Sequence, residues 1–225
     1  FNLSFLVNPY MFGSPKEIIN FDLSTTSGWT FTGSTIGINT GSQYLYGDSD
    51  VNDNRGTSEI KSGFTLSDTK WIDRMKYDIV TYTSPATNNN GQLYFGFTDK
   101  SNTTGVISSR DGLGIIARCG SGASLGIGYA DNTAWSNTSF TGSASVPSVT
   151  TYYAQLQRSS STSANLKFYS NSAFTSLVDT VTQSISSSLT GLNYITLGSW
   201  DHSSLRTVAV QISDIVIYDN YSSVP

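Results

Sequence analysis

The sequence predicts an all-β fold, an antiparallel two-sheet β-sandwich of the jelly-roll type. Three observations carry that expectation. Apolar residues recur at every second position in segment after segment, the period of a strand with one buried face. Clusters of turn-forming residues punctuate those segments at regular intervals, as in sandwiches. The composition agrees: among 225 residues there are 38 Ser, 27 Thr, 20 Gly and 16 Asn, which favour strands and turns over helices.

Taken in order, "GWTFTG" and "QYLY" are short strand candidates, and "TSEIKSGF" follows as another, joined to "QYLY" by a polar hairpin. "MKYDIVTYT" (75–83), "QLYFGFT" (92–98), "LGIIAR" (113–118) and "LGIGYA" (125–130) alternate more clearly. "TYYAQLQR" (151–158), "NLKFYS" (165–170), "NYITLGS" (193–199) and "RTVAVQISDIVIYD" (206–219) complete the set. Between them lie "SPATNNNG", "DKSNTTG", "CGSGAS", "ADNTAWSNTS" and "RSSSTSA", each rich in turn formers. In the last strand Val208, Val210 and Ile212 share one face, whereas Ile215 and Ile217 carry the pattern on the other. A bulge near Ser213–Asp214, or burial of both faces, accounts for that change of phase. Only "SPKEIIN" (14–20) and "SLVDTVTQSISSSL" (176–189) leave room for a helical turn. No linker or shift of composition divides the chain, so residues 1–225 are expected to form a single domain. The apolar stretch 1–13, "FNLSFLVNPYMFG", is either a terminal strand of its own sheet or an arm that docks on a neighbouring subunit.

Charge narrows the function. The net charge is −4, and the 12 Lys and Arg are scattered singly, so nothing neutralises a run of phosphates and a nucleic-acid partner is excluded. No apolar run is long enough for membrane insertion. The single cysteine, Cys119, forms no internal disulfide and reads as a small core residue. Asn-x-Ser/Thr sequons at Asn2, Asn102, Asn137 and Asn220 are of the number that a chain so rich in Ser and Thr produces by chance. The polar, weakly charged surface suggests an exposed, extracellular protein.

"TYYAQLQRSSSTSANLKFYSNSAFTSLVDT", followed by "GLNYITLGSW" and a closing "ISDIVIYD", resembles the concanavalin A-like lectin/glucanase superfamily, which includes laminin-G-like domains. "WTFTGSTIGINTGSQYLYGDSD" resembles the opening hairpins of the same fold, and the likeness spans roughly residues 20 to 220. The resemblance implies a jelly roll of two antiparallel sheets, one of them concave. Members bind glycans, hydrolyse them, or serve as structural surface modules, and such domains recur on phage and archaeal virus particles. Fold therefore does not choose among these roles.

The residues choose against catalysis. Glycoside hydrolysis needs two carboxylates facing each other across the bond, and hydrolase members carry a Glu-x-Asp-x-x-Glu type strand. This chain has only Glu17 and Glu59, far apart and outside any such motif. "GASLG" (122–126) matches the nucleophile-elbow pattern around Ser124, but "IGYA" after it is a strand and not the required helix. "GLGIIA" (112–117) lacks the helix that would hold a dinucleotide's phosphates.

Binding residues are easier to nominate. Trp29 and Trp71 sit in strand-like contexts and are expected in the core, whereas Trp135 and Trp200 lie among turn residues. An exposed loop tryptophan suits contact with a sugar or a partner, although capping one end of the sandwich is the competing use. Asp201 and His202 add hydrogen-bonding groups beside Trp200. Trp135, Trp200, Asp201 and His202 are therefore the expected carbohydrate or partner contacts. Asp48, Asp50 and Asp53 in "GDSDVNDNRG" have the alternating oxygens of a calcium loop. Gly56 comes too late for the sharp turn and Arg55 places a positive charge inside, so a solvated turn is favoured over calcium. No other cofactor is expected.

These readings converge on a non-catalytic surface module of a virion or cell surface. It binds glycans, or forms a homo-oligomeric capsid decoration, fibre or filament with neighbouring subunits. A secreted glycoside hydrolase and a calcium-dependent lectin are the alternatives.

Overall fold

The computed structural model describes residues 16–32, 36–48, 57–61, 65–83, 91–100, 110–119, 123–133, 139–142, 149–200 and 207–225. The stretch 1–13 lies outside them. Fifteen strands run through the described residues, and no helix does. They are β1 (Glu17–Asn20), β2 (Trp29–Thr32), β3 (Ile36–Asn39), β4 (Tyr44–Asp48), β5 (Thr57–Lys61), β6 (Trp71–Thr83), β7 (Gly91–Thr98) and β8 (Arg110–Cys119). β9 (Ala123–Thr133), β10 (Ser139–Gly142), β11 (Thr151–Ser160), β12 (Ser163–Tyr169), β13 (Leu177–Ser184), β14 (Tyr194–Trp200) and β15 (Thr207–Asp219) follow.

Two antiparallel sheets result. The eight-stranded sheet runs β13-β12-β11-β6-β15-β4-β3, with β1 also paired to β15, and the seven-stranded sheet runs β10-β9-β8-β7-β14-β5-β2. The chain crosses between sheets eight times, which makes this a jelly roll and not a meander. One crossing overturns an expectation. β4 and β5 belong to different sheets, so the polar segment between them is a crossover and not a hairpin. The two segments given room for a helical turn are also strands: β1 pairs with β15, and β13 pairs with β12.

Alternation explains the core. From the eight-stranded sheet, Met75, Tyr77, Ala154, Leu156, Leu166, Phe168, Val210 and Ile212 point inward. Leu93, Phe95, Phe97, Leu113, Ile115, Ile127, Ile195 and Leu197 meet them from the seven-stranded sheet. Each of the Leu, Ile, Val, Met and Phe side chains among them contributes about 1.5–3 kcal/mol by leaving water. Trp29 and Trp71 are core residues as expected, and Trp71 stands edge-on to Phe97 with ring centroids 4.9 Å apart. The outer face of the seven-stranded sheet carries a second small cluster of Tyr94, Ile116, Ala130 and Phe140.

Candidate functional site

The site arises where β15 changes partner. Residues 209–212 pair with β4 and residues 216–219 with β1, while β6 lies along the opposite edge. Between the two partners β15 bulges. Ser213 is opposite Lys76 and Val216 opposite Arg74, so β15 spends one more residue than β6. The extra residue resets the phase, and Ile212, Ile215 and Ile217 all enter the same core. Asp214 absorbs the change with a φ of 54° and remains exposed.

Between the ends of β4 and β1 a groove of about 380 Å³ opens over this bulge. Three elements wall it: the β3–β4 turn with Gly41, Ser42 and Gln43, the stretch after β1 with Phe21 and Leu23, and Lys76, Ser213 and Asp214 on the sheet. Gln43, like Asp214, holds a left-handed φ, here 55°. Two non-glycine residues in that region within one groove are a concentration of strain of the kind that marks functional surfaces.

The turn is held in place. Asn39 Oδ1 accepts from the backbone N–H of Ser42 at 3.0 Å, and Asn39 Nδ2 donates to the Tyr44 hydroxyl at 3.1 Å. The opposite wall is tied by Phe21 N–H, which donates to the carbonyl of Ile215 at 3.2 Å. Lys76 is paired with Asp78 at 2.9 Å. That hydrogen bond, helped by Tyr153 and Asp214, holds the ammonium above the ordinary lysine range, so the groove contains a fixed cation at neutral pH. The groove therefore offers one carboxylate, one ammonium, one side-chain amide and two hydroxyls beside an apolar patch from Phe21. Such groups satisfy a polyhydroxylated ligand, and the volume lies at the small end of ligand pockets. Asp214 is the sole carboxylate among the described lining residues, whereas glycoside hydrolysis needs two.

Aromatic residues flank the groove on the same outer face. Tyr153 lies in register with Lys76 and with Tyr169. Phe174 stands edge-on to both, at 6.0 Å from Tyr153 and 5.4 Å from Tyr169.

The residues singled out from sequence fall elsewhere. Trp135, Asp201 and His202 lie outside the described residues. Trp200 ends β14 with its backbone in register with Gln92. Asp48 ends β4 opposite Ala209, while Asp50 and Asp53 lie outside the described residues. Ser124 lies on β9 opposite Arg118, inside a hairpin and not at a strand-to-helix turn. Glu17 is on β1 of one sheet and Glu59 on β5 of the other. Among the described residues no group of three or more His, Cys, Asp or Glu is placed to hold a metal. Several aspartates instead tie loops at one end of the sandwich. Asp111 accepts from the N–H groups of Asn132 and Thr190, Asp68 from Gly191, and Asp219 from Ser67.

Sequence reasoning missed the groove because its walls come from residues 21–23, 41–43, 76 and 213–214. One signal was present, the phase break between Ile212 and Ile215. No helix among the described residues is long and apolar enough to cross a membrane.

No protein-family model and no curated protein sequence matches the chain. Solved structures do. The CBM2 module of the evolved Dit of Lactobacillus casei phage J-1 superposes with a TM-score of 0.55 at 12% identity, over 93% of this chain and 98% of that one. Basic winged bean lectin, solved with Tn-antigen, gives 0.58 at 10% identity, over 91% and 98%. The β-glucanase of Bacillus licheniformis gives 0.57 at 9% identity, over 91% and 98%. At these identities the likeness is one of architecture, and it agrees with the sheet order described above: the chain has the concanavalin A-like jelly-roll fold.

Proposed function

We propose that this chain is a non-catalytic glycan-binding module of an extracellular surface, with the groove over the β15 bulge as its saccharide site. The observation that carries the reading is the groove itself, lined by Gln43, Ser42, Lys76, Ser213 and Asp214 beside Phe21. Lectins and a phage carbohydrate-binding module on the same fold support it by analogy. A hydrolase reading is less well supported, since the two glutamates belong to strands of different sheets. Trp135, Trp200, Asp201 and His202 form a second proposed contact region. Trp200→Ala is expected to weaken glycan binding or assembly there without unfolding the domain.

Glycan-array screening followed by calorimetry tests the groove. Asp214→Asn keeps a residue that tolerates a left-handed φ while removing the charge. It is expected to weaken saccharide binding about tenfold, in line with one lost charge-assisted hydrogen bond. Unchanged binding would remove the groove from the reading.

A specific observation favours a second role in assembly. β13 is the edge strand of the eight-stranded sheet, with Leu177 55% and Val178 37% exposed. Strand edges with apolar side chains pair with other chains. Light scattering tests this, and Leu177→Lys is expected to convert any oligomer to monomer.

A further inference from the structure

The outer face of the eight-stranded sheet continues past the groove into a row of unusual charge. Lys167 on β12, Gln155 on β11 and Arg74 on β6 lie in one register row. Among the described residues neither Arg74 nor Lys167 has an acidic partner within ion-pair distance, in a chain whose net charge is −4. Arg74 is nevertheless held firmly. Its Nε donates to Gln155 Oε1 at 2.9 Å, and its guanidinium carbon lies 4.2 Å from the centre of the Phe174 ring. Both contacts leave the Nη edge of the fork for a ligand, the edge that pairs with a planar carboxylate or a sulfate.

Phe174 reaches that position at a cost. It has a φ of 54°, a conformation that a bulky residue adopts only when its surroundings enforce it. Here the β12–β13 turn enforces it. Asn171 Oδ1 accepts from the N–H groups of Thr175 and Ser176 at 3.0 and 3.1 Å, and Phe174 N–H donates to the Asn171 carbonyl at 3.1 Å. A strained aromatic, a stacked guanidinium, an amide and an unpaired ammonium thus share one face with Tyr153 and Tyr169. Lys76 belongs to the next register row, so this patch adjoins the groove.

We infer that the Arg74–Gln155–Lys167 row recognises the anionic substituent of an acidic saccharide, a carboxylate or sulfate ester, on a sugar residue next to the one held in the groove. Arg74 receives the anion in its fork and Lys167, two strand spacings or about 10 Å away, reaches a second substituent. Half-buried Tyr153, in the adjacent register row, and Phe174 border the patch on the groove side. The inference deepens the glycan-binding reading and rests on it, but the two fail separately.

The test uses the full chain and calorimetric titration at low and physiological salt. The probes are oligogalacturonate and sulfated dextran oligomers, their carboxyl-reduced and unsulfated counterparts, and polyglutamate. One or both acidic saccharides should bind at least tenfold more tightly than their neutral counterparts. Which of them does identifies the substituent. Arg74→Gln and, independently, Lys167→Gln should erase that preference while Asp214→Asn weakens acidic and neutral oligomers alike. Equal binding of acidic and neutral oligomers overturns the inference and leaves the groove. Acidic preference that Arg74→Gln removes and Asp214→Asn does not touch keeps the inference and removes the groove. Binding of polyglutamate as tight as that of the acidic sugars overturns saccharide recognition in favour of charge alone. Absence of binding to every probe overturns both.

Discussion

The outer faces of the two sheets are built on opposite principles. On the seven-stranded sheet Gly96, Gly114 and Gly128 lie opposite one another on β7, β8 and β9, and all three are buried. Removing three side chains leaves a channel that the protein fills itself. The Tyr94 ring lies across Gly96 and Gly114, and its hydroxyl donates to the Phe97 carbonyl at 3.1 Å. Phe140 covers Gly126 in the same way. On the eight-stranded sheet the corresponding positions carry Arg74, Lys76, Tyr153, Lys167 and Gln211, all half-buried and reaching toward water. One face has been closed by its own aromatics, while the other is left open with its polar groups arranged. An open face of that kind is what a ligand needs.

The inner faces differ too. The described core positions of the seven-stranded sheet are apolar, whereas the eight-stranded sheet places Asp73, Arg158 and the Tyr77 hydroxyl in the interior. Both oxygens of Asp73 lack hydrogen-bond partners, and desolvation pushes its carboxyl well above the ordinary range.

The largest effect should come from the closed face. An added Cβ at Gly114 would lie 2.5 Å from Tyr94 Cε2, with the Phe95 carbonyl closer still. Gly114→Val should cost about 3 kcal/mol or more in urea unfolding, because neither the ring nor the backbone can retreat. Tolerance of valine there would mean that the glycine row does not shape the sheet.

Next in size is Asp73. A carboxyl whose folded-state pKa is raised stabilises the fold only where the unfolded chain also binds the proton. Its contribution is complete below about pH 3.8, and stability is lost as pH rises from there toward the raised folded value. Asp73→Asn should flatten that part of the stability–pH profile. Asp73→Val should raise stability at pH 8 by about 1–3 kcal/mol by removing an unpartnered buried polar group. A variant that is less stable than the parent at pH 8 would show that Asp73 is partnered after all.

The smallest effect belongs to the open face. Lys167→Gln should change stability by less than about 0.5 kcal/mol in the same unfolding assay, since the side chain makes no ion pair among the described residues. A larger loss would reassign that face from binding to folding.

Much of the fold was legible because alternation is a local signal. β6 through β9, β11, β12, β14 and β15 lie where period-two runs placed them, and the break between Ile212 and Ile215 announced the bulge. Two misreadings share a cause. β13 has only Val181 buried, so its alternation is faint and its serines looked compatible with a helical turn. Partnering with β12 overrides that local preference. The β4–β5 segment looked like a hairpin because turn chemistry does not say which sheet the next strand joins. The groove was illegible for a stronger reason. Its residues meet only after β1 and β4 dock end to end along β15, a long-range event without local signature. The sequence offers Trp135 and Trp200 as aromatic plates, whereas the described open face carries half-buried Tyr153 and Phe174.

The central claim is that ligands meet the open face of the eight-stranded sheet at the bulge of β15. Amide chemical-shift mapping with the tightest oligosaccharide from the array tests it most directly. Perturbations are expected at Gln43, Lys76, Ser213 and Asp214, with Gly96, Gly114 and Tyr94 unmoved. Perturbations confined to Gly96, Gly114 and their neighbours on the seven-stranded sheet would contradict it.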